Sequence, residues 1–269
     1  MLLHDTDLVP DEQPKAPAAL DSAYFDQWYA DMETSSTKDV LLQRHLSIPT
    51  WLGSAGILHW DALSDIAAGV RLAEGGALVD VACGRGGYGI ELARRTSATL
   101  TGVDFSAVAQ EQARAIAARL LAPGQADFRV GTLTETGLAT GTADALVCTD
   151  SLQFAEPPAE ALREFRRVLR PGGRLALTAW APTTPGDPSL GPRLRHFDLP
   201  GDLDSAGFVD VIVETRPAWR AAERRVWQDA VATEGGEDDA ALSSLRDEGK
   251  RSLRTFDALQ RVLAFATAP

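Results

Sequence analysis

The 269-residue chain contains only two cysteines, Cys83 and Cys148, and four histidines. Two cysteines cannot build the disulfide framework of a small secreted domain, and these two lack the spacing of a metal site. We therefore expect two reduced, buried thiols on neighbouring core strands and no bound metal. An apolar run of membrane-spanning length and a signal-type leader are also missing from the sequence. We predict a soluble, cytoplasmic protein that does not bind a membrane.

Basic residues are few compared with acidic ones: 26 lysines and arginines stand against 38 aspartates and glutamates, giving a net charge of −12. A protein that binds a phosphate backbone needs a basic surface, so nucleic acid is not expected as the substrate. We predict a small-molecule substrate. The length suits one domain with additions, and we expect a monomer or a homodimer.

One stretch, residues 77–104, organises the rest of the chain. An apolar strand over Ala77–Val81, interrupted only by Asp80, leads into a glycine-rich turn over residues 84–89. A helical segment follows, and then a second strand that ends at Asp104. The turn presents backbone N–H groups at a helix N-terminus, and an acid that closes the next strand can accept hydrogen bonds from two ribose hydroxyls. The stretch predicts a nucleoside-binding unit.

The glycine spacing alone leaves three interpretations open. Gly84-x-Gly86-x-x-Gly89 matches the dinucleotide fingerprint, and a glycine turn can also exist without any ligand. Asp80 argues against a pyrophosphate, because its carboxylate would repel phosphate and would suit an ammonium group instead. Residues 80–86, DVACGRG, resemble motif I of the class I S-adenosylmethionine (SAM) methyltransferases, which usually have glycine in place of Ala82. This resemblance implies SAM as the cofactor.

A second segment, REFRRVLRPGGRL at residues 163–175, carries a further resemblance. It is similar to the helix–turn–strand that follows motif IV in small-molecule SAM methyltransferases, including those of ubiquinone and menaquinone biosynthesis. The resemblance implies an enzyme of quinone or secondary metabolism, such as the tailoring of an antibiotic. The methyl acceptor atom, whether O, N or C, stays open.

The alternation of strand and helix patterns predicts an α/β fold with a doubly wound, mostly parallel sheet. The family resemblance implies seven strands in the order 3-2-1-4-5-7-6, the last of them antiparallel. We predict a flexible tail (1–20), a helical N-terminal cap (21–75), a SAM-binding Rossmann-like core (76–216), a helical insertion that forms a lid or dimer contact (217–260), and a final strand (261–269). The fifth strand is expected at residues 175–180, after a Pro-Gly-Gly turn, and the helix before the final strand at 240–259.

Topology and resemblance together predict the cofactor site. Ligands of open parallel sheets bind outside the carboxyl ends of strands, next to the switch in strand order. Asp150 lies at such an end, although it could also be a helix N-terminal acid. Thr132 stands where the family usually has an adenine-contacting acid. The predicted cofactor-binding residues are Asp80, Ala82, Cys83, Gly84, Gly86, Asp104, Phe105, Ser106, Thr132, Leu133, Asp150, Ser151, Gln153 and Tyr24.

Aromatic side chains are concentrated in the N-terminal region, where they share one helix face and could either fill the core or line a substrate pocket. The predicted substrate-binding residues are Trp28, Tyr29, Trp51, Trp180, His196 and Trp219. Methyl transfer needs a general base only when the acceptor arrives protonated. The candidates, in falling order, are His196, His59, Asp150 and His45.

The sequence therefore predicts a SAM-dependent methyltransferase that acts on a small molecule by in-line displacement. A methyltransferase-fold cyclase or pericyclase that binds SAM without transferring its methyl group would have the same cofactor motifs. Two further functions stay open, a SAM-sensing or partner-binding module and an NAD(P)-binding oxidoreductase.

Overall fold

The computed structural model describes residues 22–32, 35–52, 56–236 and 238–269, so the predicted tail lies outside the described residues. Seven strands form one sheet in the order β3-β2-β1-β4-β5-β7-β6, which confirms the predicted topology. Its strands are β1 (Ala77–Val81), β2 (Thr99–Asp104), β3 (Ala126–Val130), β4 (Ala143–Thr149), β5 (Leu169–Pro182), β6 (Val209–Thr215) and β7 (Leu259–Thr267). β7 pairs antiparallel with β5 and β6, and the other pairs are parallel.

The helices cover both faces of this sheet. They are α1 (Ser22–Met32), α2 (Ser36–Leu46), α3 (Ala62–Val70), α4 (Gly87–Thr96), α5 (Ala107–Leu120), α6 (Pro158–Val168), α7 (Pro192–Arg195), α8 (Leu199–Ser205), α9 (Pro217–Ala232) and α10 (Ala240–Thr255). Within the described ranges no helix is long and apolar enough to cross a membrane.

Two apolar clusters form the core, one on each face. Leu78 of β1 belongs to the cluster under α2–α5, α9 and α10, and its neighbour Val79 belongs to the cluster under α6 and α8. Successive residues of a strand point to opposite faces, so both must be apolar when both faces are covered. This explains why the sequence of β1 is apolar almost throughout, and it makes the buried carboxyl of Asp80 an exception that requires a reason.

Two strands begin earlier than the sequence predicts. β5 starts at Leu169, which pairs with Ala143, and the register then shifts so that Arg174 pairs with Ala145. The predicted turn is therefore an irregularity inside β5, where Gly172 has a φ of 76°. β7 starts at Leu259, because α10 ends at Thr255 and one 3₁₀ turn follows it.

The N-terminal cap and the insertion pack on each other as well as on the core. α2 contacts α9, and α1 contacts α10. Residues from both segments line the same space above the glycine-rich turn. The cap and the insertion thus build one wall of the candidate site together.

Candidate functional site

The turn between β1 and α4 has a backbone that few residues other than glycine adopt. Ala82, Gly84 and Gly86 all have positive φ angles, of 55°, 52° and 74°. The left-handed region disfavours side chains with a Cβ. This accounts for the glycine that the resembling motif usually has in place of Ala82.

Asp80 lies beneath this turn and faces the first turn of α4. Its side chain is 3% exposed, and the Gly89 amide donates a hydrogen bond to it. A Cβ at Gly89 would clash with Asp80 Oδ2, so only glycine lets the carboxyl occupy this place. Burial, together with the nearby charge of Asp104, raises the pKa of Asp80 to about 8. An adjacent cation would favour the ionised form.

Asp104 ends β2 and holds the other side of the turn. Its Oδ2 accepts a hydrogen bond from the Gly84 amide at 2.8 Å, and its Oδ1 accepts one from the Ser106 amide at 2.9 Å. The Phe105 amide donates a third hydrogen bond. Because each carboxylate oxygen can accept two hydrogen bonds, capacity remains for one ligand hydroxyl. Ser106 also accepts from the Ala109 amide at 3.1 Å and caps the N-terminus of α5.

A cavity of about 600 Å³ lies above the turn, where β1 and β4 end. Many of the predicted site residues meet in its wall. These are Tyr24, Trp28, Tyr29, Asp80, Ala82, Cys83, Gly84, Asp150, Ser151, Gln153 and Trp180.

Several other predicted residues are not in the wall, as far as the described residues define it. Gly86 packs against the Phe128 ring on the far side of the turn. Thr132 is exposed, and its hydroxyl accepts a hydrogen bond from the Glu135 amide. Trp51 is 49% exposed, whereas Trp219 is buried in the core under the Arg216 guanidinium. Asp104, Phe105, Ser106 and Leu133 are outside the wall as well.

The three histidine candidates lie outside the wall too. His196 is exposed at the end of α7. His59 accepts from the Asp61 amide, and His45 pairs with Asp229 at 2.7 Å.

Helix α1 lies directly on the turn. The Tyr29 hydroxyl would be 2.7 Å from a Cβ at Gly84, and burial raises the pKa of this phenol well above its ordinary value. Asp26 Oδ1 accepts from Ser106 Oγ at 2.5 Å, and the Trp28 indole donates to Ser244 Oγ of α10 at 3.0 Å. The helix therefore connects the glycine-rich turn and the start of α5 with the insertion.

Two buried charged residues that the sequence patterns did not single out complete the site. Arg261 of β7 donates to Asp150 Oδ2 at 2.9 Å and lies 2.7 Å from Oδ1. Its Nε is 3.4 Å from Oε2 of Glu223, and the Trp180 indole donates to Oε1 of Glu223 at 3.1 Å. Glu223 and Arg261 are each 1% exposed.

The sequence contains a signal for one of these two residues. Glu223 lies four residues after Trp219 and four before Trp227, which places it on the aromatic face of α9. A carboxylate on an apolar helix face needs a partner in the fold.

Comparison with known proteins gives matches for the central part of the chain. Residues 79–177 match the family described as "Methyltransferase domain". Over 182 residues the chain is 29% identical to the 27-O-demethylrifamycin SV methyltransferase of Amycolatopsis mediterranei, a match that covers 60% of this chain and 67% of that enzyme. Over 110 residues it is 29% identical to the ubiquinone/menaquinone biosynthesis C-methyltransferase UbiE of Geotalea daltonii, covering 40% of this chain and 47% of that one. The chain thus spans about half the length of the latter relative.

Among solved structures, the [4+2]-cyclase SpnF resembles this chain with a TM-score of 0.68 at 24% identity. The alignment covers 78% of this chain and 82% of that one. At such an identity the likeness shows the fold alone.

Proposed function

Because this chain belongs to the class I SAM-dependent methyltransferases, we propose that it transfers a methyl group from SAM to a small-molecule acceptor. The observation that carries the proposal is the buried Asp80 carboxyl at the glycine-rich turn, with Asp104 on the other side of the same turn. An acid that favours an ammonium group and an acid that can accept from a ribose hydroxyl match the amino-acid and ribose parts of SAM.

The residues of the cavity and of the adjoining turn fit this cofactor. Asp80 would ionise and pair with the ammonium group, and Asp104, behind the cavity wall, would accept from a ribose hydroxyl. The Tyr29 phenol keeps its proton because burial raises its pKa, so it can donate a hydrogen bond beside Gly84. A pyrophosphate offers Asp80 no cation to pair with, and ionised Asp80 would repel it, which disfavours a dinucleotide.

When bound, SAM supplies a methyl carbon that is already activated by a sulfonium group. The task of this chain is then to orient the acceptor and to exclude water, which can contribute up to about 7–11 kcal/mol to lowering the barrier. Trp28 of α1 and Trp180 of β5 close two sides of the cavity. Asp150, fixed by Arg261 and Thr178, forms the wall at the end of β4.

We propose a small acceptor that combines a ring or apolar body with polar groups, because the cavity of about 600 Å³ has to hold SAM as well. The cavity volume lies in the range of small-molecule sites, and its wall mixes aromatic side chains with carboxyl and guanidinium groups. Quinone-like and secondary-metabolite acceptors both fit this description.

The proposal is tested with SAM that carries a labelled methyl group, incubated with the protein and a small-molecule extract of the source organism. Label that moves into an extract compound supports methyl transfer. Label that stays on SAM while an extract compound is consumed would instead support a cyclase-type reaction. Calorimetry that detects NADH binding and no SAM binding would overturn the cofactor.

A further inference from the structure

The helical insertion brings two carboxyl groups to the cavity, Glu223 from α9 and Glu248 from α10. One polar face of α10 lines the cavity. This face consists of Ser244, Glu248, Arg251, Ser252 and Thr255. α1 adjoins this face, because the Trp28 indole donates to Ser244 Oγ at 3.0 Å. An acceptor bound in the cavity would contact the carboxyl groups of the insertion.

Glu223 is the more deeply placed of the two groups, and its surroundings hold it in one position. The Trp180 indole donates to Oε1, and the Arg261 guanidinium adjoins Oε2. Arg261 also binds Asp150, which follows β4 at the switch in strand order. One ion network therefore fixes Glu223 relative to the strand end where the cofactor and the acceptor meet.

We propose that Glu223 is the general base that takes the proton of the methyl acceptor, and that the acceptor therefore presents an O–H or N–H group. This proposal rests on the proposed methyl transfer. It assigns the general base, a role for which the three histidine candidates lie outside the cavity wall. Asp150 is less suited, because the Arg261 guanidinium contacts both of its carboxylate oxygens, at 2.9 and 2.7 Å, whereas it approaches only one oxygen of Glu223, at 3.4 Å.

The environment of Glu223 supports this role. Burial has the largest effect on the pKa of Glu223 and raises it, and the charges of Asp150 and Glu248 raise it further. The charge of Arg261 and the hydrogen bond from Trp180 lower this pKa, which is about 8. A general base works best when its pKa lies near the operating pH. The ionised fraction of Glu223 would therefore increase through neutral and mildly alkaline pH.

The step balances without any further reactant. The acceptor oxygen or nitrogen forms a bond to the methyl carbon, and its proton passes to the Glu223 carboxylate. The carbon–sulfur bond breaks, and its electron pair remains on the sulfur, which becomes neutral. The proton on Glu223 is returned to solvent when the product leaves.

The test compares Glu223→Gln with the unchanged chain in the labelled-SAM assay, with Glu160→Gln, an exposed site on α6, as the matched control. We expect Glu223→Gln to lower the transfer rate about 10²- to 10⁴-fold and to leave the SAM dissociation constant within about threefold. In the unchanged chain the rate should rise with a midpoint near pH 8. Glu248→Gln removes a like charge and should move this midpoint to lower pH, whereas Trp180→Phe removes a donor and should move it to higher pH.

A second readout does not depend on turnover. The infrared carbonyl band of protonated carboxylic acids should lose intensity at neutral pH in Glu223→Gln and not in Glu160→Gln. If Glu223→Gln still transfers the methyl group with the pH profile of the unchanged chain, the assignment of the base is overturned and the proposed function stays intact. A product methylated on carbon would overturn the acceptor class. SAM binding without any transfer by the unchanged chain would overturn both the base and the methyl transfer.

Discussion

At the scale of single residues, the buried carboxyl of Asp80 carries the proposed choice of ligand at the glycine-rich turn. The sequence predicts its position at the end of the first strand, since the strand pattern and the glycine spacing are both local. Its protonation depends on burial by the whole fold and on the distance to Asp104, which no local pattern encodes. In the folded chain its pKa of about 8 leaves it mostly protonated at pH 7.

We predict that SAM binding at pH 7 releases close to one proton from Asp80. The ammonium group lowers the pKa of the carboxyl below the solution pH, so the bound state holds fewer protons than the free state. Calorimetry in two buffers of different ionisation enthalpy counts the proton. Asp80→Asn should abolish the release and weaken binding by roughly tenfold to a hundredfold, the loss of one charged hydrogen bond. Asp127→Asn, exposed on β3, should change neither.

Gly89 provides a steric test of the same site. A methyl group at this position would clash with Asp80 Oδ2, while nothing lies within 4 Å of a Cβ at Gly191. We expect Gly89→Ala to lower the free energy of unfolding by about 1–3 kcal/mol and also to weaken SAM binding. Gly191→Ala should stay within about 0.5 kcal/mol of the unchanged chain in urea unfolding. Equal effects of the two substitutions would contradict the close contact.

At the scale of elements, the sequence predicts helices and strands well where the pattern is local. The strand over Ala77–Val81, the helix after the glycine-rich turn and the strand that ends at Asp104 are examples. The start of β5 at Leu169 is different, because it depends on pairing with Ala143 of another strand and on a shift of register. The aromatic face of α1 could be predicted, but its position on the turn could not.

The position of α1 predicts a role in retaining the cofactor. Asp26 accepts from Ser106 Oγ and from the Val108 amide, and so joins α1 to the start of α5. We expect Asp26→Ala to speed SAM dissociation by roughly tenfold to a hundredfold, because hydrogen bonds to a charged group are lost. Stopped-flow displacement measures the rate. Gln27→Ala, on the exposed face of the same helix, should leave it unchanged, and an equal rate in both variants would contradict the role.

At the scale of the whole molecule, one buried ion network joins the core to the insertion. Arg261 belongs to β7, Asp150 follows β4, and Glu223 belongs to α9, so three separate segments of the chain meet there. Local patterns predict a helical lid or a dimer contact over residues 217–260. Local patterns do not identify the ion pairs of Arg261 with Asp150 and Glu223, because these residues come together only when α9 packs beside β7. A buried arginine is also rare enough that no composition rule anticipates it.

The network predicts that the fold itself depends on Arg261. Arg261→Met would leave the Asp150 and Glu223 carboxyls buried without their cation, and breaking such a pair costs about 3–5 kcal/mol. We expect the free energy of unfolding in urea at pH 9, above the pKa of about 8 of Glu223, to fall by that amount, whereas Arg254→Met, exposed on α10, should change it by less than about 0.5 kcal/mol. Adding Asp150→Asn and Glu223→Gln to Arg261→Met should restore part of the loss, because neutral amides are cheaper to bury than unpaired carboxylates. A triple variant no more stable than Arg261→Met alone would show that lost packing of the arginine stem, and not the unpaired charges, causes the effect.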